Sequence, residues 1–510
     1  MTAQRRHTVV LSDVHLSQAH PDDPSDPLWM RYRRTEYHPD AELAALVDEL
    51  LARVGDDPIE LVFNGDLFDF DAPWVKDGES SFDEFPLDAP GCAEHVARMI
   101  DDHPGWFGAT ARVVAAGHRV LFTSGNHDVE LYFPAVREAI RRRIGARAAE
   151  LGAPLDDAAL EARVRFRTWF HVTEDRIYLE HGSQYDMLNG VPNPMRPLTP
   201  CGTQVHPVCG KLAFKRTGSR MGYFNPYYEE TFYMGLFGYL GHFATRYALS
   251  RRHIVRTWFL GAVRTCAEIW RFRHADHELG DAGLAAARAE TGATEEAIRK
   301  THALRVPSAE RAMLPILREL WIDRLFLALF VLVASAVAFA VSGAVVGASV
   351  LGALVVAFVV YEIATPKPDI RTYDSAPEEV RGLLDIHEAR AMCTGHTHRA
   401  FGRWGDDGRF WGNSGSWAPA FRDAECKEPV HDRRPLLWLT TEGEAIRGGL
   451  VWLVDGELVA DGEGFRGELS RPERDGVGSR HSAATVRESA ATRAMGAEPT
   501  RGSARRQTAP

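Results

Sequence analysis

Five short motifs follow one another in order along this chain: Asp13-Val14-His15, Gly65-Asp66, Gly125-Asn126-His127-Asp128, His181-Gly182 and Gly395-His396-Thr397-His398. Together they offer two carboxylates (Asp13, Asp66), one amide oxygen (Asn126) and four imidazoles (His15, His181, His396, His398) as candidate metal ligands, with His127 to spare. That inventory fits two divalent cations sharing one site, a device for splitting phosphate esters. The mixed nitrogen and oxygen donors suit manganese, iron or zinc better than calcium, and manganese is the first expectation. Taken singly, Asp-x-His reads as a solvated loop, Gly-Asp as a turn and His181 as a hydrogen-bonded core histidine. Gly-His-Thr-His is the strongest single signal, because alternate residues of an extended segment point the same way.

Something must bring Asp13 and His398 together across most of the chain. Each motif follows a short apolar or β-branched run, as in residues 7–12, 59–64, 119–124 and 176–180. Such runs, bounded by glycine and polar residues, read as buried strands. Helical stretches lie between several of them, for example Ala41–Arg53 and Pro134–Ala149. Alternating strands and helices predict an α/β domain with ligands at the carboxyl ends of its strands. A glycine beside a ligand lets the backbone turn sharply and approach the metals.

In these motifs and their order the chain resembles the calcineurin-like metallophosphoesterase superfamily, over about residues 7–189 and 376–420. The resemblance implies a four-layer α/β/β/α sandwich. It implies one metal held by Asp13, His15, Asp66 and His398, and a second held by Asp66, Asn126, His181 and His396, with Asp66 bridging. His127 would face the substrate, oriented by Asp128, and these two are the expected catalytic residues. Protein Ser/Thr phosphatases of the superfamily carry Asp-Arg after the second motif and Gly-Asn-His-Glu at the third. Here Asp69 is followed by Phe70, and Asp128 replaces the Glu. The missing arginine removes a bidentate phosphate clamp, which argues against a phosphoprotein substrate. Two other branches remain open: the UDP-2,3-diacylglucosamine pyrophosphatase type and the nuclease type that works on DNA ends.

A net charge of −11 argues against a large nucleic-acid surface. Six cysteines without Cys-x-x-Cys spacing fit reduced thiols. Met1–His7 runs directly into the first strand with no apolar leader, so the catalytic domain is expected in the cytoplasm.

Leu325 to Tyr361 carries no charge and only three serines (Ser335, Ser342, Ser349). A membrane-spanning helix needs about 20 apolar residues. The stretch therefore allows one overlong helix or two short ones, about 325–341 and 344–361, turning near Ser342-Gly343. His181 precedes it and His396 follows it, and both must reach the same metals, so an even number of spans is required. Trp321, Arg324, Tyr361 and Lys367 resemble interfacial anchors. Arg318, Arg324, Lys367 and Arg371 place both ends in the cytoplasm by the positive-inside rule. The competing reading is a buried helical hairpin of a soluble protein.

The predicted organisation is a first catalytic part (1–189), a helical aromatic and basic insertion (190–320), a transmembrane hairpin (321–364), a second catalytic part (365–468) and a disordered tail (469–510). The insertion carries Lys211, Lys215, Arg216 and Arg220. Tyr223, Phe224, Tyr227, Tyr228, Phe232, Tyr233, Phe237, Tyr239 and Phe243 follow, and then Arg246, Arg251, Arg252 and Arg256. These suit a surface lying on anionic lipid or an ordinary helical subdomain with aromatics packed inward. Asn413 and Ser416 lie in a Gly/Ser turn expected near the site, and Pro435–Leu458 is expected to complete the second sheet. The expected activity is a membrane-anchored two-metal phosphoesterase cutting a phosphodiester or pyrophosphate bond, in a lipid-linked or nucleotide-linked substrate. The alternatives are a nuclease-type phosphodiesterase and a non-catalytic metal-binding scaffold.

Overall fold

The computed structural model describes residues 4–83, 87–223, 225–228, 241, 243–248, 254–272, 278–309, 316–318, 322–365 and 378–469. Phe224, Phe232, Tyr233, Phe237, Tyr239, Arg251, Arg252, Trp321, Lys367, Arg371 and the tail from residue 470 lie outside them.

Two sheets form the centre. The strands are β1 (Arg5–Leu11), β2 (Ile59–Asn64), β3 (Trp74–Lys76), β4 (Glu79–Ser81), β5 (Arg119–Thr123), β6 (Val164–Arg167), β7 (His171–Val172), β8 (Ile177–Leu179), β9 (Ala391–Thr394), β10 (Phe401–Trp404), β11 (Phe410–Asn413), β12 (Arg434–Glu442), β13 (Ala445–Val454) and β14 (Glu457–Arg466). A seven-stranded sheet runs β14-β13-β12-β1-β2-β5-β6, and a five-stranded sheet runs β10-β11-β9-β8-β7. Strands β1, β2, β5 and β6 are mutually parallel, as are β8, β9 and β11.

Alternation along the strands explains the stacking, since neighbouring side chains leave opposite faces. Val10, Val62 and Leu121 meet Leu179, Cys393 and Phe410 between the two sheets. Val9, Leu61, Val120 and Phe122 point the other way, against Leu43 and Leu46 of helix α1 (Asp40–Val54) and Met99 of α2 (Ala89–Asp102). Trp106 of α3 (Pro104–Ala115) and Ile140 of α4 (Pro134–Glu150) complete that layer. On the outer face of the five-stranded sheet, Tyr178 and Met392 pack with Leu284, Ile298, Leu383 and Leu384. Those residues come from helices Gly280–Thr291, Glu295–Leu304 and Glu378–Ile386. Part of the insertion is thus a structural layer of the fold.

The expectation that Pro435–Leu458 completes the second sheet is corrected. Strand β12 pairs antiparallel with β1, so β12–β14 extend the first sheet.

Ile322–Ala364 is a helical segment long and apolar enough to cross a membrane, with 11% of its apolar window buried. It breaks at Gly343 (φ 79°, ψ 178°), a conformation that excludes most side chains. Arg324 Nε donates to Glu362 Oε2 at 2.6 Å, and Tyr361 Oη donates to Asp323 Oδ2 at 2.6 Å. A straight helix of this length would separate its ends by about 60 Å, so the segment doubles back on itself.

Candidate metal centre

Every motif sits just past a strand. Asp13 and His15 follow β1, Asp66 follows β2, Asn126 follows β5, His181 follows β8, and His396 and His398 follow β9. Because these strands are parallel within each sheet, their carboxyl ends open on one edge. Five of the seven candidate ligands have left-handed backbones: Asp13 (φ 53°), His15 (55°), Asp66 (52°), His396 (70°) and His398 (57°). Non-glycine residues rarely adopt this region, and such strain gathers at functional sites. The glycines make room. A Cβ on Gly65 would collide with the His181 ring, and one on Gly125 with the Asp66 carboxylate.

The donors form two groups. In the first, His15 Nε2 lies 3.2 Å from His398 Nε2, which lies 3.3 Å from Asp13 Oδ1. In the second, His181 Nε2 lies 3.1 Å from Asp66 Oδ2 and 3.3 Å from Asn126 Oδ1, with His396 gathered beside them. Asp13 links the two, accepting from the His396 backbone N–H at 3.0 Å and lying 3.9 Å from His181 Nε2. Donor separations of this size are those of two ligands each about 2.0–2.1 Å from a shared cation. The residues therefore fit divalent metal, and its identity rests on the donor chemistry alone.

The carboxylates hold a proton on His181 that a cation at Nε2 would replace, whereas His15 is kept neutral. His181 Nδ1 donates to the Asn64 carbonyl at 2.9 Å, which turns Nε2 toward the carboxylates. Burial opposes charge on His181, but Asp66 and Asp13 outweigh it and raise the imidazole to about 9. Burial, then the neighbouring His127, lowers His15 to about 3 and keeps its lone pair available. Asp66 stays ionised despite burial, because His181 and His127 hold it well below the carboxylate range.

His127 stands beside this centre. Its backbone N–H donates to Asp66 Oδ1 at 2.7 Å, and its ring lies 4.7 Å from that of His15. Asp128 does not orient it. The Asp128 carboxylate accepts from the backbone N–H groups of Gly125 (2.6 Å) and Leu67 (2.9 Å), tying the loops after β2 and β5 together. Burial, then Asp66, raises that carboxyl to about 7. The ring of His127 is held by two residues that the motifs did not flag, with Nδ1 2.8 Å from Asp71 Oδ2 and 3.6 Å from Asp69 Oδ1. Burial works against the imidazolium, and Asp71 and Asp66 overcome it, raising the ring well above its ordinary value.

Other partners were also missed. Asp186 Oδ2 lies 3.0 Å from His396 Nε2. Lys211 Nζ donates to both Glu130 oxygens at 2.7 Å and to the His127 carbonyl at 3.1 Å, and lies 3.5 Å from Asp71 Oδ1. Arg33 and Tyr227 both donate to Asp69 Oδ2, at 3.0 and 2.7 Å. The only advance signal was the acidic spacing Asp66, Asp69, Asp71. Asn413 and Ser416 brace the ligand loops: Asn413 Nδ2 donates to the Gly395 carbonyl (2.6 Å) and Ser416 Oγ to the Asp13 carbonyl (2.9 Å).

Residues 6–203 match the family model described as calcineurin-like phosphoesterase, and this stretch is a calcineurin-like phosphoesterase domain. It holds the first four motifs, while His396 and His398 reach the centre from beyond it. Two solved structures of Vps29 from Entamoeba histolytica, a single mutant and the wild type complexed with Zn+2, share 19% and 20% sequence identity with the chain. Each alignment has a TM-score of 0.13 and covers 19% of this chain and 47% of that one, so the match spans about half their length. A comparison with curated proteins finds no match.

Proposed function

We propose that the chain is a membrane-anchored, metal-dependent phosphoesterase that hydrolyses a phosphodiester or pyrophosphate bond in a lipid-linked or nucleotide-linked substrate. The observation that carries this reading is the gathering of seven metal donors from five strand ends beside a histidine fixed by carboxylates. Asp13, His15, Asp66 and His398 would hold one cation, manganese first. Asp66, Asn126, His181 and His396 would hold the other. When bound, such cations neutralise the phosphoryl oxygens and activate the attacking water. Asp71 and Asp69 keep the His127 ring in place through Nδ1, leaving Nε2 to stabilise or protonate the leaving oxygen.

The membrane part rests on exposure. Within Ile322–Ala364, Phe326, Leu332 and Val345 are 64%, 65% and 82% exposed, which water would penalise and lipid would not. We read the doubled-back segment as two short spans with both ends in the cytoplasm. Helix Ile254–Phe272 adds a stripe of exposed Phe259, Leu260, Val263 and Trp270 flanked by exposed Arg256, Arg264 and Arg271. That pattern suits a helix lying on an anionic bilayer. Its buried Ala262 and Ile269 share a core with Ile322 and with Leu212 of helix Cys209–Arg216, the helix that carries Lys211 to His127. The elements we assign to the membrane thus share a core with the helix that reaches His127.

The test uses purified full-length protein with Mn²⁺ or with EDTA, against phosphomonoesters, phosphodiesters, nucleotide–lipid pyrophosphates and DNA ends. Metal-dependent cleavage of diesters or pyrophosphates is expected. Turnover of DNA ends alone would assign the nuclease branch, and no turnover of any substrate would leave a scaffold. Replacing residues 325–361 with a soluble linker should spare a small diester and sharply reduce activity on a lipid phosphate in vesicles. Equal retention of both would reduce the segment to an anchor.

A further inference from the structure

A cavity of about 390 Å³ opens next to His398, and neither Asp66 nor His181 is among its lining residues. Tyr227, Tyr228, Arg399, His431, Arg433 and Trp452 contribute its polar and aromatic lining, over a floor that includes Ala420, Val430 and Pro435. No carboxylate is among the described residues that line it, and Asp432, between His431 and Arg433 in sequence, is not one of them. On a chain of net charge −11, that exclusion concentrates positive charge. His431 also feels Arg434, His398, Arg422 and Arg433, which, after burial, hold its imidazole below the ordinary value.

The basic residues divide by task. Arg434 is spent on the fold, donating to the carbonyls of Trp417 (3.1 Å) and Ala418 (3.3 Å) and to Glu42 Oε1 (3.1 Å). Arg433 is exposed, and its guanidinium lies 3.8 Å above the Trp452 ring. The ring is itself anchored by Nε1–H donating to Asp461 Oδ1 at 3.2 Å. Stacking occupies the flat face of a guanidinium and leaves its in-plane N–H fork for an anion, which a lysine could not imitate.

We infer that this cavity is a subsite for a second anionic group of the substrate, a phosphate or carboxylate on the far side of the bond that is split, with Arg433 as its principal donor. The inference rests on the hydrolase reading. A simple monoester places its whole charge at the metals and has no use for a second basic lobe. A pyrophosphate, or a diester whose leaving half carries its own anion, would use both lobes. The aromatic wall and apolar floor would then cover whatever that half presents beyond its charge.

The experiment has a binding arm and a catalytic arm, both on full-length protein in detergent. With EDTA present, calorimetry measures binding of α,β-methylene-ADP, which cannot be cut at the bridging position. Arg433→Gln should weaken it by about tenfold, the loss of one charge-assisted hydrogen bond, and Arg433→Lys should fall between. With Mn²⁺ present, kcat/KM is compared for ADP-ribose and for bis(4-nitrophenyl) phosphate. Arg433→Gln should lower the first by about tenfold more than the second. Unchanged binding in Arg433→Gln, or equal losses on both substrates, would overturn the subsite and leave the hydrolase standing. Loss of binding in a protein that cuts neither substrate would overturn the hydrolase and leave the subsite.

Discussion

Asp71→Asn is the most discriminating change, because it removes a charge without touching a metal ligand. Asp71 is wholly buried, and its Oδ2 is 2.8 Å from His127 Nδ1. The isosteric amide cannot balance an imidazolium. A close, buried charge pair of this kind couples by about 1.5–3 kcal/mol, the lower part of the range for such pairs. At about 1.36 kcal/mol per factor of ten, kcat should fall roughly 10- to 100-fold. Lys211 keeps both Glu130 oxygens at 2.7 Å, so the variant does not strand a buried ammonium. Initial rates on a soluble diester would be measured beside metal content by mass spectrometry, which should not change. The decisive control is His127→Ala. Combined with it, Asp71→Asn should add little, because both substitutions disable one unit. Additive losses, or metal lost in step with rate, would refute the claim that Asp71 acts by positioning His127.

Asp66→Asn should nearly abolish turnover and lower occupancy of both metal positions, whereas His127→Ala should keep metal and lose roughly 10²–10⁴ in kcat; equal metal loss in the two would break the division of roles. His95 is fully buried, stacked on Trp74 at 5.0 Å, and lowered to about 3 by burial, then Lys215. Its folded pKa lies below the unfolded value near 6.5, so its stabilising contribution is complete above that pH and fades as pH falls toward 3. At pH 5 the loss reaches about 2 kcal/mol, and His95→Phe should flatten that dependence in urea titrations at pH 7.5 and 5. With residues 325–361 replaced by a soluble linker, Phe259→Ser should weaken co-sedimentation with anionic vesicles by roughly tenfold or more, since an apolar side chain fully buried contributes roughly 1.5–3 kcal/mol. Unaltered co-sedimentation would mean that this face does not meet lipid. Reporters fused after residues 189 and 376 should both lie in the cytoplasm, with one near Gly343 on the far side.

The candidate ligand set was legible because each donor falls within about four residues of a strand end, where glycine and short apolar runs leave a local imprint. Asp13 and His398 declare themselves by type and spacing, and Gly343 announced the turn between two apolar halves. Other features had no local imprint. The unbroken apolar run Leu436–Leu439 marks β12 as a strand buried on both faces, yet not that its partner is β1. The amphipathic pattern of residues 280–304 marks a buried side, yet not that Tyr178 and Met392 lie beneath it. Asp71, Asp186, Tyr227 and Lys211 come from loops and from the insertion, and only chain closure sets them on His127, His396, Asp69 and Glu130. By itself, then, the sequence determined the candidate metal donors, the strands that present them and the apolar segment, since these depend on residue type and on periodicities of two and 3.6. The tertiary structure decided which carboxylates grip which histidines and where positive charge gathers beside His398, because those depend on distances between residues with no fixed separation along the chain.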